Sequence, residues 1–235
     1  MRLLASVLAT AFLVTAPAAA HAWGATRGDG QKVTQPRQVA AFTSVRLEGS
    51  LDATVQVGGA QSVSVTIDQN LQPLILTEVS GGTLVVRSKD ASWDGQGTVE
   101  ITVPALRGFA IEGSGDAAIE GGQGDLSLRI KGSGDLRWKG TASKVDASIS
   151  GSGDMELTGT AEQAQVALAG SGDVKGSGLK ARGAAITVAG SGDVELTLDG
   201  GSLSVSIAGS GDVVWHGQAM VEKVSVAGSG QVVRR

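Results

Sequence analysis

The tetrapeptide Gly-Ser-Gly-Asp recurs through the second half of the chain. It starts at Gly113, Gly132, Gly151, Gly170, Gly190 and Gly209, and a seventh copy from Gly228 ends in Gln231 instead of Asp. Successive starts lie 19, 19, 19, 20, 19 and 19 residues apart. A fixed period near 20 residues means stacked supersecondary units, none of which can bury its apolar face alone.

The residues between the motifs show what is stacked. Alternating apolar positions precede each motif, as in Val145, Ala147 and Ile149, or Val205 and Ile207. The first and third positions after Asp are apolar too: Leu136 and Trp138, Met155 and Leu157, Val194 and Leu196, Val213 and Trp215. Period two with β-branched residues reads as strands. Each unit is therefore a strand, a Gly-Ser-Gly-Asp bend, a second strand and a second turn. That turn is marked by Gly121, Gly140, Gly159, Gly178 and Gly217, each five residues after its Asp. Two bends per unit with inward residues in register build a parallel β-helix. A propeller blade needs about 40 residues, and a leucine-rich repeat needs its own Leu and Asn pattern. Trp138 and Trp215 fall at inward positions and are expected in the core.

The first half is less regular. Residues 23–38 are poor in apolar side chains and are expected as a flexible lead-in. Residues 39–235 are expected as one β-helix domain, with wider irregular rungs over 39–108 and regular ones over 109–235. Gly49-Ser50-Leu51-Asp52 is a degenerate copy of the motif, 64 residues before Gly113. That interval fits about three wider rungs, for about ten in all. Trp93 sits in a polar, Gly-bearing stretch and is a candidate for an exposed aromatic contact.

The chain opens with Arg2, an apolar run from Leu3 to Val14, and Ala20-His21-Ala22. This is the pattern of a secretory leader over residues 1–22, cut after Ala22. A run of about 12 apolar residues is too short to span a bilayer. The expected destination is the periplasm, the outer surface or the medium, with no membrane insertion after cleavage. The chain carries a net charge of −4, and removing Arg2 with the leader leaves 18 basic against 23 acidic residues, or −5. That balance argues against nucleic acid as a partner. With no Cys there is no disulfide and no thiolate metal site.

The outward positions carry what function the sequence shows. Two residues past Asp, Arg137, Glu156, Lys175 and Glu195 form a column of alternating sign. On the other strand the outward residues are small, among them Ser148, Ser150, Ala167, Ala169, Ala189, Ser206 and Ala208. This flat face reads either as plain surface or as a packing face for a homo-oligomer. The Asp ladder is expected to cap amides left unpaired at the bend. Stacked carboxylates about 5 Å apart repel by roughly 1 kcal/mol in water, and charge-assisted hydrogen bonds of about 1.5–3 kcal/mol offset that.

Two other chemistries compete. A Ser/His/Asp arrangement could use only His216 in the mature chain, and a periodic Asp row is unlike an active site, which is one irregular place. A carbohydrate-active enzyme on a β-helix scaffold remains the alternative class, alongside a purely structural envelope protein. Calcium binding is a further alternative, but Ca²⁺ takes six to eight oxygens and each unit offers one Asp. No metal site, cofactor or catalytic residue is assigned.

The chain resembles the bacterial auto-transporter adhesin head (GIN) domain family. The resemblance rests on Phe42-Thr43-Ser44-Val45-Arg46-Leu47-Glu48-Gly49-Ser50-Leu51-Asp52, on residues 71–86, on Phe109-Ala110-Ile111-Glu112 leading into Gly113, and on the repeats. It covers residues 39–233. It implies a right-handed parallel β-helix of pectin-lyase-like architecture, no catalytic constellation, and a role in cell adhesion through a surface glycan or protein. It also implies that the motif is a binding ridge, carried here by Asp116, Asp135, Asp154, Asp173, Asp193 and Asp212.

Overall fold

The computed structural model describes residues 26–89 and 93–235, without the side chains of residues 93 and 94. The expected leader and the Trp93 side chain lie outside the described residues. The strands are β1 (Thr26–Arg27), β2 (Lys32–Pro36), β3 (Ser44–Gly49), β4 (Asp52–Val57), β5 (Ser62–Asp68), β6 (Ile75–Ser80), β7 (Thr83–Ser88), β8 (Trp93–Asp94) and β9 (Thr98–Val103). They continue as β10 (Gly108–Gly113), β11 (Ala117–Glu120), β12 (Asp125–Gly132), β13 (Leu136–Gly151), β14 (Met155–Gly170), β15 (Val174–Gly190), β16 (Val194–Gly209), β17 (Val213–Gly228) and β18 (Val232–Arg234).

From β10 onward each coil lies on the one before it in parallel register. Leu136 pairs with Met155, Ile149 with Leu168, and Gly151 with Gly170. Every second side chain points inward, and the inward residues form one continuous apolar core. Trp138 and Trp215 belong to it, at 1% and 5% exposure. The 20-residue unit absorbs its extra residue as a bulge after Glu156, so that Leu179, not Gly178, stacks on Gly159.

The fold is a parallel β-solenoid of about seven turns, fewer than the ten rungs expected. The difference lies in the first half. Gly113 stacks directly on Gly49, and Asp116 follows directly on Asp52 across the stack. The 64 residues between them do not rise as three rungs. Instead β7 and β9 pair in parallel beneath β3 and β4. The chain thus lays down β3 and β4, drops below them, and returns above them as β10 and β11.

The lower end is closed by antiparallel strands, with β6 on β7 and β5 on β9. The supposed lead-in takes part: β2 pairs antiparallel with β5 from Lys32 to Pro36. Antiparallel pairing ends a parallel stack without continuing it. At the upper end, Met220, Val221, Val224, Val226 and Val233 are exposed. Arg234 partly stands in for a further coil there. Its guanidinium lies 5.1 Å from the Trp215 ring centroid and donates to the Gly217 carbonyl at 2.6 Å.

Candidate functional site: the Gly-Ser-Gly-Asp corner

Both glycines of the motif are required by geometry. Gly151 has φ of 144°, which side chains rarely adopt. At Gly153 the obstacle is contact: a Cβ there would overlap the carbonyl oxygen of Gly134 in the coil below. Only glycine lets successive bends approach to one strand spacing.

Backbone hydrogen bonds at this corner run to both neighbouring coils, as alternate residues do in a parallel stack. Within the bend the Ser amide donates to the coil below, as from Ser133 to Gly113 O at 2.9 Å. After it an amide donates to the coil above, as from Leu136 to Asp154 O at 2.9 Å. The Asp N–H and C=O both face the coil below: the Asp154 carbonyl accepts from the Leu136 amide, and the Asp154 amide donates to the Asp135 side chain. Among the described residues no backbone acceptor meets the N–H of the motif Asp from Asp116 to Asp212.

The side chain beneath supplies the missing acceptor. The amide of Asp116 donates to Asp52 Oδ1, and those of Asp135, Asp154, Asp173, Asp193 and Asp212 each donate to Oδ1 of the Asp one coil lower, at 2.8 to 3.0 Å. Gln231 ends the series by donating to Asp212 Oδ1 at 2.8 Å. All six Asp of the expected ridge therefore stand in one column and share one role. Asp52, in the degenerate copy whose second glycine is replaced by Leu51, is not counted in that ridge and is the lowest member. The cap acts between coils, so it could not be assigned from the bend alone.

Oδ1 is committed to the fold, which leaves Oδ2 toward solvent. At Asp154 that oxygen meets Lys175 Nζ at 2.6 Å. The Lys175 hydrogen bond, with the Asp173 amide second, holds the Asp154 carboxyl below the usual carboxylate range. The same contact raises the Lys175 ammonium. The charged column is only partly self-paired. Arg137 meets Glu156 at 3.4 Å, Lys175 turns to Asp154, and Glu195 bonds His216 Nε2 at 2.7 Å.

Among the described residues no three Asp, Glu, His or Cys side chains converge as a metal site would need. The small-residue face is open, with Ala167, Ala169, Ala189, Ser206 and Ala208 all exposed. Two recesses lie on that side nearer the lower end. One, of about 720 Å³, is lined by residues that include Arg107, Asp125, Lys144 and Asp146. The other, of about 230 Å³, lies beside it and shares Arg107 and Ser127. The repeat did not point to either, because both occur where the chain departs from it.

Comparison with known proteins agrees with this architecture. The family model described as "Putative auto-transporter adhesin, head GIN domain" matches residues 41–219, and the chain belongs to that family. A "putative lipid binding protein" from Parabacteroides distasonis has a similar solved structure, with TM-score 0.72 and 25% identity over 89% of this chain and 98% of that one. A "putative adhesin" from Bacteroides fragilis superposes with TM-score 0.79 and 22% identity, covering 89% and 99% of the two chains. Another, from Parabacteroides merdae, gives 0.68 and 20%, covering 89% and 98%. No match was found among curated proteins.

Proposed function

We propose that this chain is an exported, non-enzymatic binding module of the cell envelope or surface with a role in adhesion. The observation that carries the reading is the long outer face from β13 to β17. Its small outward residues are exposed, and no other described element covers it. A rigid solenoid holding such a face open suits contact with an extended partner. Family membership and the adhesins of similar fold support it. The leader over residues 1–22 supplies the route of export, and the expected partner is a cell-surface glycan or protein.

The test is adhesion by the mature protein, residues 23–235, immobilised on beads and offered bacterial cells and a glycan panel, with Ca²⁺ and with chelator. Retention above that of a blocked surface is expected in both conditions. Failure to retain any cell or glycan would remove the binding role. Depolymerisation of a polysaccharide in the same panel would place the chain among carbohydrate-active enzymes instead.

A further inference from the structure

The smaller recess is built by what the sheet lacks at its centre. Arg46, Ala110 and Arg129 are register partners on β3, β10 and β12. Register partners share a face, and adjacent strands lie about 4.8 Å apart. Two guanidinium side chains therefore rise on either side of an alanine, about 10 Å apart at their roots. One row away, Thr83, Ser44, Gly108 and Ser127 repeat the pattern, with hydroxyl residues flanking a glycine. A Cβ on Gly108 would lie 3.4 Å from Ser44 Oγ, so the floor here is backbone. Arg107 stands at the end of the recess.

The upper coils carry no such group. In the Arg46 and Arg129 column they place Ser148, Ala167, Thr187, Ser206 and Ser225. The arginines are only partly neutralised. Arg46 makes long contacts to Glu48 at 3.7 Å and Glu112 at 4.0 Å. Arg129 Nε donates to Ser127 Oγ at 3.2 Å.

We propose that this recess binds an oxyanion group, a carboxylate, sulfate or phosphate, borne on a polysaccharide whose neighbouring sugars lie in the larger cleft beside it. Guanidinium forks and hydroxyls are the donors that oxyanions take. The larger cleft adds Asp125 and Asp146 as acceptors for sugar hydroxyls, Lys144 as a donor, and Leu106 and Leu126 at its base. An anionic membrane is the poorer fit. Among the described residues the exposed large hydrophobic ones are in β17 and β18, away from this end, so the recess offers no apolar side chain to enter a bilayer. The choice of a saccharide rests on the binding role proposed above; the oxyanion recess rests on the arginines.

The experiment titrates the mature protein with polygalacturonate, dextran sulfate, a polyphosphate-bearing dextran and neutral dextran, and with phosphatidylglycerol vesicles. Binding to at least one charged dextran or polygalacturonate, and none to neutral dextran, is expected. Which of the charged probes binds identifies the oxyanion. The pair Arg107→Gln and Arg129→Gln should raise the dissociation constant by about tenfold or more. Arg137→Gln, on the opposite face, should leave it unchanged. Ala110→Glu places a carboxylate between Arg46 and Arg129, and should abolish binding while thermal unfolding stays as in wild type. Binding that survives Ala110→Glu, binding to vesicles alone, or binding to no probe would each overturn the recess. If bead-bound protein still retains cells in those cases, the adhesive role stands and only its location is wrong.

Discussion

A single side-chain oxygen per coil corrects a defect that the solenoid creates for itself. Both backbone groups of the motif Asp face the coil below, where its carbonyl accepts from the residue that follows the lower Asp. Its amide bonds only because the Asp below offers Oδ1. Asp135, whose carboxylate makes no ion pair among the described residues, tests this. Asp135→Ala leaves the Asp154 amide unpaired and should cost about 1–2 kcal/mol in urea unfolding. Asp135→Asn keeps an oxygen in place and should cost less than about 0.5 kcal/mol. Equal losses for the two variants would remove the capping account. The sequence showed that Asp caps something, since the residue type and its place in a bend say so. It did not show which amide, because the direction of hydrogen bonding across stacked coils leaves no mark on composition. Asp154 adds a dependence on pH. Its folded pKa is depressed, so its contribution is complete above the ordinary carboxylate value near 4 and is lost as pH falls through the lower folded value. Lys175 is raised, so its contribution is complete below the ordinary lysine value near 10.4 and fades as pH climbs through the higher folded one. Lys175→Met should therefore lower the unfolding midpoint at neutral pH and converge with wild type in acid. A constant gap down to about pH 2 would mean that the pair contributes nothing through ionisation.

The coil is the element of this molecule, and its hydrogen bonds, core residues and caps all repeat at one interval. Removing residues 155–173 takes out one 19-residue period and joins Asp154 to Val174. The bend, the Asp cap and the inward alternation all survive that junction. The shortened protein should stay soluble and unfold cooperatively, about 4.8 Å shorter along the stack. Removing residues 155–164 instead breaks the register, and that chain should aggregate or fail to fold; comparable melting of the two deletions would refute the coil as the unit. Regular coils were legible for the same reason that they can be removed, since Met155, Leu157, Val166 and Leu168 repeat their neighbours' pattern. The lower coils were not. Alternation in Val63, Val65 and Ile67 marks a strand, but it carries no sign of whether that strand pairs in parallel or antiparallel. Here β5 is antiparallel to β9 and closes the stack.

Across the whole molecule the two ends and the middle differ in kind. The lower end is sealed by antiparallel strands, the middle is periodic, and the upper end exposes Val224 and Val226, whose register partners Val205 and Ile207 are buried. The candidate ligand recess lies where periodicity begins. The interleaved lower coils also govern the order of events during synthesis. In a simple solenoid each strand emerging from the ribosome or a translocation pore docks on one already made. Here β3 and β4 emerge first, yet their neighbours on one side are β7 and β9 and on the other β10 and β11. One edge of that coil stays open until β7 and β9 arrive about 40 positions later, and the other until β10 and β11 arrive about 60 positions later. The molecule cannot be wound up from its beginning. Its early strands must wait for a turn that closes around them, while the later coils form from local contacts alone. An emerging chain halted before Thr83 would present two raw edges at once, and one halted before Gly108 would still present one, which makes that interval of synthesis the one most in need of a chaperone's cover.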